Sequence, residues 1–84
     1  EEVTVDEDYI GDRYGLVTPG GREAFRMVAR TEGIFLDPVY SAKAMAALID
    51  HVRKGRIGPG ETVIFLHTGG TPALFAYADE LMEE

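Results

Sequence analysis

The sequence of 84 residues contains no cysteine and no tryptophan, and it has only two histidines. The lack of cysteine excludes a disulfide framework and any metal site built on thiolates, and two histidines make no convincing metal site. No apolar run approaches the roughly 20 residues of a membrane span, and no basic-then-apolar signal segment opens the chain. These features predict a cytoplasmic protein with no metal site and no membrane partner.

Basic residues are scarce at both ends of the chain. Eight Lys and Arg stand against 15 Asp and Glu, which gives a net charge of −7. Nine of the acids lie in residues 1–8 and 79–84, and residues 9–78 hold six acids and all eight bases. The acidic ends argue against a nucleic-acid partner, and solvation of the ends explains them.

Apolar periodicity and capping residues predict three helices. In the first, Thr18-Pro19 is predicted as the N-cap with proline at the first helical position, the apolar stripe covers about residues 21–31, and Gly33 ends the helix. The second follows Tyr40 and ends at Lys54-Gly55. The third begins at Thr71-Pro72. The apolar positions assigned to the three helix faces are Phe25, Val28 and Ala29; Met45, Leu48, Ile49 and Val52; and Leu74, Phe75, Ala78, Leu81 and Met82.

Two short segments between the helices are predicted to be strands. Ile34–Leu36 is too short for a helix and precedes Pro38, whereas Thr62–Leu66 is a continuous apolar run, typical of a strand buried on both faces of a parallel sheet. The order loop-α-β-α-β-α predicts an α/β fold, with residues 1–19 as an ordered loop region and 20–84 as the α/β portion. Two strands are too few for a stable sheet, so both are expected to belong to a larger parallel sheet with helices on its faces.

The loops that follow the two strands are the candidate site, because open α/β sheets bind ligands beyond the carboxyl ends of their strands. If the strands are parallel neighbours, Tyr40, Ser41, His67 and Thr68 surround one crevice. The Gly-Gly turn in "HTGGTP" could present backbone N–H groups to an anion or serve only as a tight turn.

Several of these side chains have a structural alternative. His67 is either a ligand or a packed structural residue, and His51 is expected to be solvated. Tyr40 and Lys43 either perform acid–base chemistry or act as an aromatic wedge under the helix start and an exposed first-turn lysine.

Three motifs of the chain carry a family resemblance. "EGIFLDPVYSAKAM", "HTGGTPALFAY" and "YIGDRYG" closely resemble the C-terminal end of the D-cysteine desulfhydrase and 1-aminocyclopropane-1-carboxylate deaminase family, over about residues 9–82. These are pyridoxal-phosphate enzymes of the tryptophan-synthase-β-like fold. The resemblance implies that Tyr40 is the active-site tyrosine that faces cofactor and substrate, and that Tyr14 lies near the substrate. It also implies cofactor contacts for Thr68, Ser41 and Gly69.

Two positions distinguish the branches of this family. Ser41 stands where the deaminases carry a glutamate that faces the pyridine nitrogen, and Thr68 stands where they carry a leucine. Both residues resemble the desulfhydrase branch. A hydroxyl partner leaves the ring a weaker electron sink than a carboxylate does, which suffices for loss of a good leaving group such as sulfide.

The family's Schiff-base lysine is not among the matching residues, and Lys43 matches a C-terminal helix position instead. The resemblance therefore implies a C-terminal fragment of a lyase, inactive alone. Its partners would be the N-terminal remainder, a small amino acid and, in a homo-oligomer, further copies. The expected reaction is α,β-elimination, with D-cysteine, L-cysteate and cyclopropane amino acids as substrates in that order. The alternatives are a deaminase, or a non-catalytic assembly or binding domain.

Overall fold

The computed structural model describes residues 5–11 and 16–82. Its helices are α1 (Pro19–Glu32), α2 (Ser41–Arg53) and α3 (Leu74–Leu81), and a short 3-10 helix, Thr71–Ala73, leads directly into α3. The three predicted helices are confirmed, and Pro19 opens α1 as predicted. The third helix differs at its start, because the predicted Thr71-Pro72 lies in the 3-10 helix and α3 itself begins at Leu74. Within the described ranges, no helix is long and apolar enough to cross a membrane.

Capping residues fix both ends of α1. The Thr18 hydroxyl accepts a hydrogen bond from the Gly21 N–H at 3.0 Å, and Pro19 lies in the first turn, where its missing N–H is not needed. At the other end Gly33 adopts a left-handed conformation, with φ of 69°, and its N–H donates to the Ala29 carbonyl. Both ends therefore follow from local sequence alone.

Helices α1 and α2 approach each other at small residues. A Cβ atom built on Gly20 would lie 3.7 Å from the Ala46 Cβ, and one built on Gly21 would lie 3.9 Å from the Ala42 Cβ. This close contact forms one side of the core. The buried core residues are Val17, Phe25, Val28, Leu36, Ala42 and Leu81.

The apolar face predicted for α3 is wrong in part. Leu81 is buried and Leu74 packs against the core, but Phe75 is 90% exposed and Met82 is 65% exposed. Tyr77, at the intervening helical position, packs against the core instead. Within residues 5–11 and 16–82, only a narrow strip of α3 meets other parts of the chain, so Phe75 is left uncovered by the described residues.

Neither predicted strand is observed, since the described part of the chain contains helices and loops only. Ile34–Leu36 and Thr62–Leu66 both lie in loop regions. A strand is defined by a ladder of hydrogen bonds to a neighbour, and two short segments rarely hold such a ladder alone. Leu36 is buried, whereas Ile64 is 91% exposed and Leu66 is 79% exposed.

The described part of the N-terminal loop region rests on α2. The Tyr9 hydroxyl donates to the Asp50 carboxylate at 2.5 Å, and the His51 Nε2 lies 3.0 Å from the Asp6 carboxylate. His51 is therefore only partly solvated, because it pairs with an acid from this loop.

Candidate functional site

The structure brings together the two segments that the sequence analysis selected, residues 37–41 and residues 67–71, which we call the loop corner. A Cβ atom built on Gly70 would lie only 3.0 Å from the Asp37 Cβ, so the backbone of the second loop lies directly against this side chain. Nearby, the His67 Nε2 is 2.8 Å from the Phe35 carbonyl oxygen. Both contacts join segments that are more than 30 residues apart in sequence.

Asp37 organises the first loop, and sequence reasoning missed it. Its carboxylate accepts hydrogen bonds from the backbone N–H groups of Val39, Tyr40 and Ser41 and from the Ser41 hydroxyl, at 2.6 to 3.0 Å. The side chain is 1% exposed. An aspartate that opens a tight turn is a signal for a carboxylate bonded to the backbone N–H groups that follow it, and this signal could have identified the residue.

The hydrogen bonds also decide the charge of Asp37. Burial by itself raises the pKa of this carboxyl, but the bonds from the Ser41 hydroxyl and from the three backbone N–H groups outweigh burial and lower the pKa below 3.8. Asp37 is therefore a carboxylate at neutral pH. Its oxygens point into the protein, where the start of α2 satisfies them.

Ser41 is buried, with 2% of its surface exposed. Its hydroxyl donates to the Asp37 carboxylate at 2.6 Å and accepts from the Asp37 N–H at 2.8 Å. To reach a cofactor, the hydroxyl would have to leave these bonds. A cofactor contact for Ser41 stays a prediction.

Tyr40 is 56% exposed and lines a cavity of about 370 Å³ with Tyr9, Ile10, Val39 and Lys43 among others. The Tyr40 backbone N–H is held by Asp37 at 2.7 Å, so the cap fixes the point from which the phenol projects. The alternative of an exposed first-turn lysine is wrong for Lys43, which is 8% exposed.

The second loop presents Thr68 at the surface. Gly69 and Gly70 both adopt positive φ values, 94° and 87°, and the Gly69 N–H donates to the His67 Nδ1 at 3.1 Å. This N–H is therefore occupied within the turn, which favours the tight-turn interpretation over an anion site. The predicted cofactor contact of Gly69 stays a prediction.

The remaining predicted site residue, Tyr14, lies outside the described residues. Within residues 5–11 and 16–82, no group of three or more His, Cys, Asp or Glu could hold a metal ion.

Alanine in place of Gly70 is expected to destabilise the protein by about 2 to 3 kcal/mol, because a Cβ would meet Asp37 and φ is positive. Gly69→Ala is the matched control, since its φ is also positive but its Cβ would have no neighbour within 4 Å. It is expected to cost about 1 kcal/mol. Urea unfolding of both variants measures the difference, and equal losses would contradict the Asp37 contact.

The sequence that contains the loop corner matches one family of enzymes. The model of the pyridoxal-phosphate dependent enzyme family matches residues 2–69, and the chain belongs to this family. The family fold is α/β and its cofactor is pyridoxal phosphate.

Three individual relatives show which proteins the chain is similar to in sequence. The chain is 49% identical over 78 residues to the 1-aminocyclopropane-1-carboxylate deaminase of Burkholderia vietnamiensis. The matched segment covers 93% of this chain and 23% of that protein. It is 48% identical to the proteins of the same name from Burkholderia ambifaria strain MC40-6 and Burkholderia multivorans, over 79 and 77 residues. These matches cover 94% and 92% of this chain. The chain spans about 23% of the length of these curated relatives.

The groups at the loop corner fit the pyridine end of this cofactor better than its phosphate end. Tyr40 and Thr68 are exposed and carry hydroxyls, which can donate a hydrogen bond to a ring nitrogen or accept one from a donor. A phosphate requires several N–H groups or cations, whereas the Gly69 N–H is already occupied. The corner therefore fits one wall of a cofactor site.

Proposed function

We propose that this chain is the C-terminal portion of a pyridoxal-phosphate-dependent lyase and forms one wall of its active site. One observation carries the proposal. The loop corner directs the Asp37 carboxylate inward and leaves Tyr40 and Thr68 exposed on adjoining loops. The two exposed side chains that we assign to cofactor and substrate on this wall, Tyr40 and Thr68, then carry hydroxyls rather than carboxylates.

The hydroxyl character of the wall supports an elimination reaction. When bound, pyridoxal phosphate withdraws electrons from the amino-acid substrate. The Thr68 hydroxyl would donate a hydrogen bond to the pyridine nitrogen without protonating it. This moderate polarisation suits β-elimination from D-cysteine, in which one water is consumed and pyruvate, ammonia and sulfide are released.

Tyr40 would hold or move a proton at its phenolic oxygen. Its backbone is fixed by the buried Asp37 cap, and its ring lines a cavity large enough to receive a small amino acid. Tyr14 would lie near the substrate, and Ser41 and Gly69 would support the cofactor side of the wall. The cofactor-bearing lysine would come from the N-terminal remainder.

The exposed apolar side chains support a role for the N-terminal remainder in covering them. Ile64, Leu66 and Phe75 are each at least 79% exposed, which is unusual for large apolar side chains grouped on one short chain. We propose that Thr62–Leu66 and Ile34–Leu36 become parallel strands when neighbouring strands of the larger sheet cover them. Homo-oligomer formation would follow in the complete enzyme.

Opening of 1-aminocyclopropane-1-carboxylate is the second candidate reaction. The names of the Burkholderia relatives favour it. Ser41 and Thr68 favour the elimination, because the resemblance assigns a glutamate and a leucine to these positions in the deaminases.

The test joins the chain to its N-terminal remainder and supplies pyridoxal phosphate with either substrate. We expect sulfide release from D-cysteine to exceed ammonia release from 1-aminocyclopropane-1-carboxylate by at least about tenfold in kcat/KM. The reverse ranking would favour the deaminase. The isolated chain should bind no cofactor covalently, and a joined protein without either activity would favour the assembly-domain alternative.

A further inference from the structure

His67 connects the two loops of the corner through both nitrogens of its ring. The Gly69 N–H donates to Nδ1 at 3.1 Å, so Nδ1 is the unprotonated nitrogen. Nε2 then carries the hydrogen and donates it to the Phe35 carbonyl at 2.8 Å. These partners select one neutral tautomer, with one bond inside the second loop and one bond across to the segment before Asp37.

The position of Thr68 depends on two anchors that flank it in sequence. On one side, His67 is tied to the Phe35 carbonyl, and on the other side the Gly70 backbone lies against the Asp37 side chain. Asp37 in turn holds the backbone N–H of Tyr40. A continuous set of contacts therefore links the backbone at Thr68 to the backbone at Tyr40.

The second loop needs such an anchor because its own sequence is permissive. Gly69 and Gly70 have no side chains to restrict their backbone, and both already adopt positive φ. The Cβ position of Gly69 has no neighbour within 4 Å, so packing does not confine that residue. The His67 bond to the Phe35 carbonyl supplies a fixed point on the N-terminal side of Thr68, before the two glycines.

We propose that His67 is a positioning residue that sets the placement of Thr68 relative to Tyr40. The inference rests on the proposed function, since it concerns the two hydroxyls assigned to cofactor and substrate. His67 acts through Thr68 and takes no part in the chemistry itself. A displacement of about 1 Å at a reacting group can cost about 100-fold in rate. Loss of the hydrogen bond between His67 and the Phe35 carbonyl is therefore expected to lower kcat measurably.

Three variants of the complete protein distinguish the effects of the two hydrogen bonds that the His67 ring makes. A glutamine amide reaches the position of Nε2 and can donate to the Phe35 carbonyl, whereas an asparagine oxygen reaches only the position of Nδ1. His67→Gln therefore keeps the bond between loops, His67→Asn keeps the bond within the turn, and His67→Ala removes both. Amide hydrogen exchange without cofactor, the cofactor absorbance spectrum and kcat are the readouts.

We expect His67→Ala and His67→Asn to accelerate exchange at Thr68, Gly69 and Gly70 by about tenfold and to lower kcat by about tenfold. We expect His67→Gln to stay within about threefold of the original protein in both measurements and to keep its absorbance maximum. Thermal unfolding midpoints within a few degrees of each other would separate positioning from a general loss of stability.

Unchanged exchange in His67→Ala would overturn the inference, as would full kcat in a variant with accelerated exchange. A damaged His67→Gln beside an intact His67→Asn would also overturn it, because the turn bond alone would then matter. If the unsubstituted protein shows slow exchange at Thr68, Gly69 and Gly70 but has no lyase activity, the proposed function is refuted. The effect of His67 on catalysis is then refuted with it, although the hydrogen bond between the loops stands.

Discussion

Replacement of Tyr40 by phenylalanine in the joined protein is expected to lower kcat by about 100-fold or more, the usual contribution of a positioned acid or base. The change removes only the phenolic oxygen and keeps the ring that lines the cavity. The side chain is 56% exposed, and its backbone N–H still reaches Asp37, so the fold should be preserved. Steady-state sulfide release from D-cysteine, with the cofactor saturating, measures the effect.

Tyr9→Phe is the matched control for this experiment. Tyr9 lines the same cavity, but its hydroxyl donates to the Asp50 carboxylate on α2. Its loss is expected to lower stability only slightly and to leave kcat within about threefold. Retention of full kcat by Tyr40→Phe would exclude the phenol from the reaction, and equal losses in both variants would indicate a general effect on the cavity.

Asp37→Ala is expected to destabilise the protein by about 3 kcal/mol, the largest stability loss for a single substitution at the corner. The carboxylate accepts four hydrogen bonds at the start of α2, and the side chain is buried. Alanine would leave the N–H groups of Val39, Tyr40 and Ser41 without their acceptor. Urea unfolding at neutral pH, with the slope checked for two-state behaviour, measures the loss.

Asp79→Ala removes the same side chain from an exposed position on α3 and should change stability by less than about 0.5 kcal/mol.

The pH dependence of stability gives a second check on Asp37. Because the folded-state pKa of Asp37 lies below 3.8, its contribution is present above that pH and is lost as the pH falls through the folded-state value. The gap between the original protein and Asp37→Ala should therefore narrow in acid, and a constant gap would contradict the role of the charge.

Local sequence signals predicted the helices because their causes are local. Thr18 and Gly33 cap α1 through bonds to residues three or four positions away, and these interactions depend little on the rest of the fold. The same reasoning failed for the outer face of α3. Phe75 has the spacing of a core residue, but no described part of the chain covers it. Periodicity indicates which residues share a face and leaves open whether anything packs there.

The two predicted strands are not confirmed, for a related reason. Apolar β-rich composition predicted Thr62–Leu66 as a strand, yet a strand also requires a hydrogen-bonded neighbour that local sequence cannot supply. The described ranges contain no such ladder. The larger parallel sheet therefore stays a prediction for the complete protein, in which other segments would supply the neighbouring strands.

The amino-acid sequence alone was sufficient to predict the three helices, the family and the identity of the two loops, because capping chemistry and motif residues lie in short stretches of sequence. Tertiary structure decided how the loops are joined. It directed Asp37 and Ser41 inward, left Tyr40 and Thr68 exposed, buried Lys43, and tied His67 to Phe35 across 32 residues. The reason is physical: burial and a shared hydrogen bond depend on which distant segments meet, and no local pattern records that.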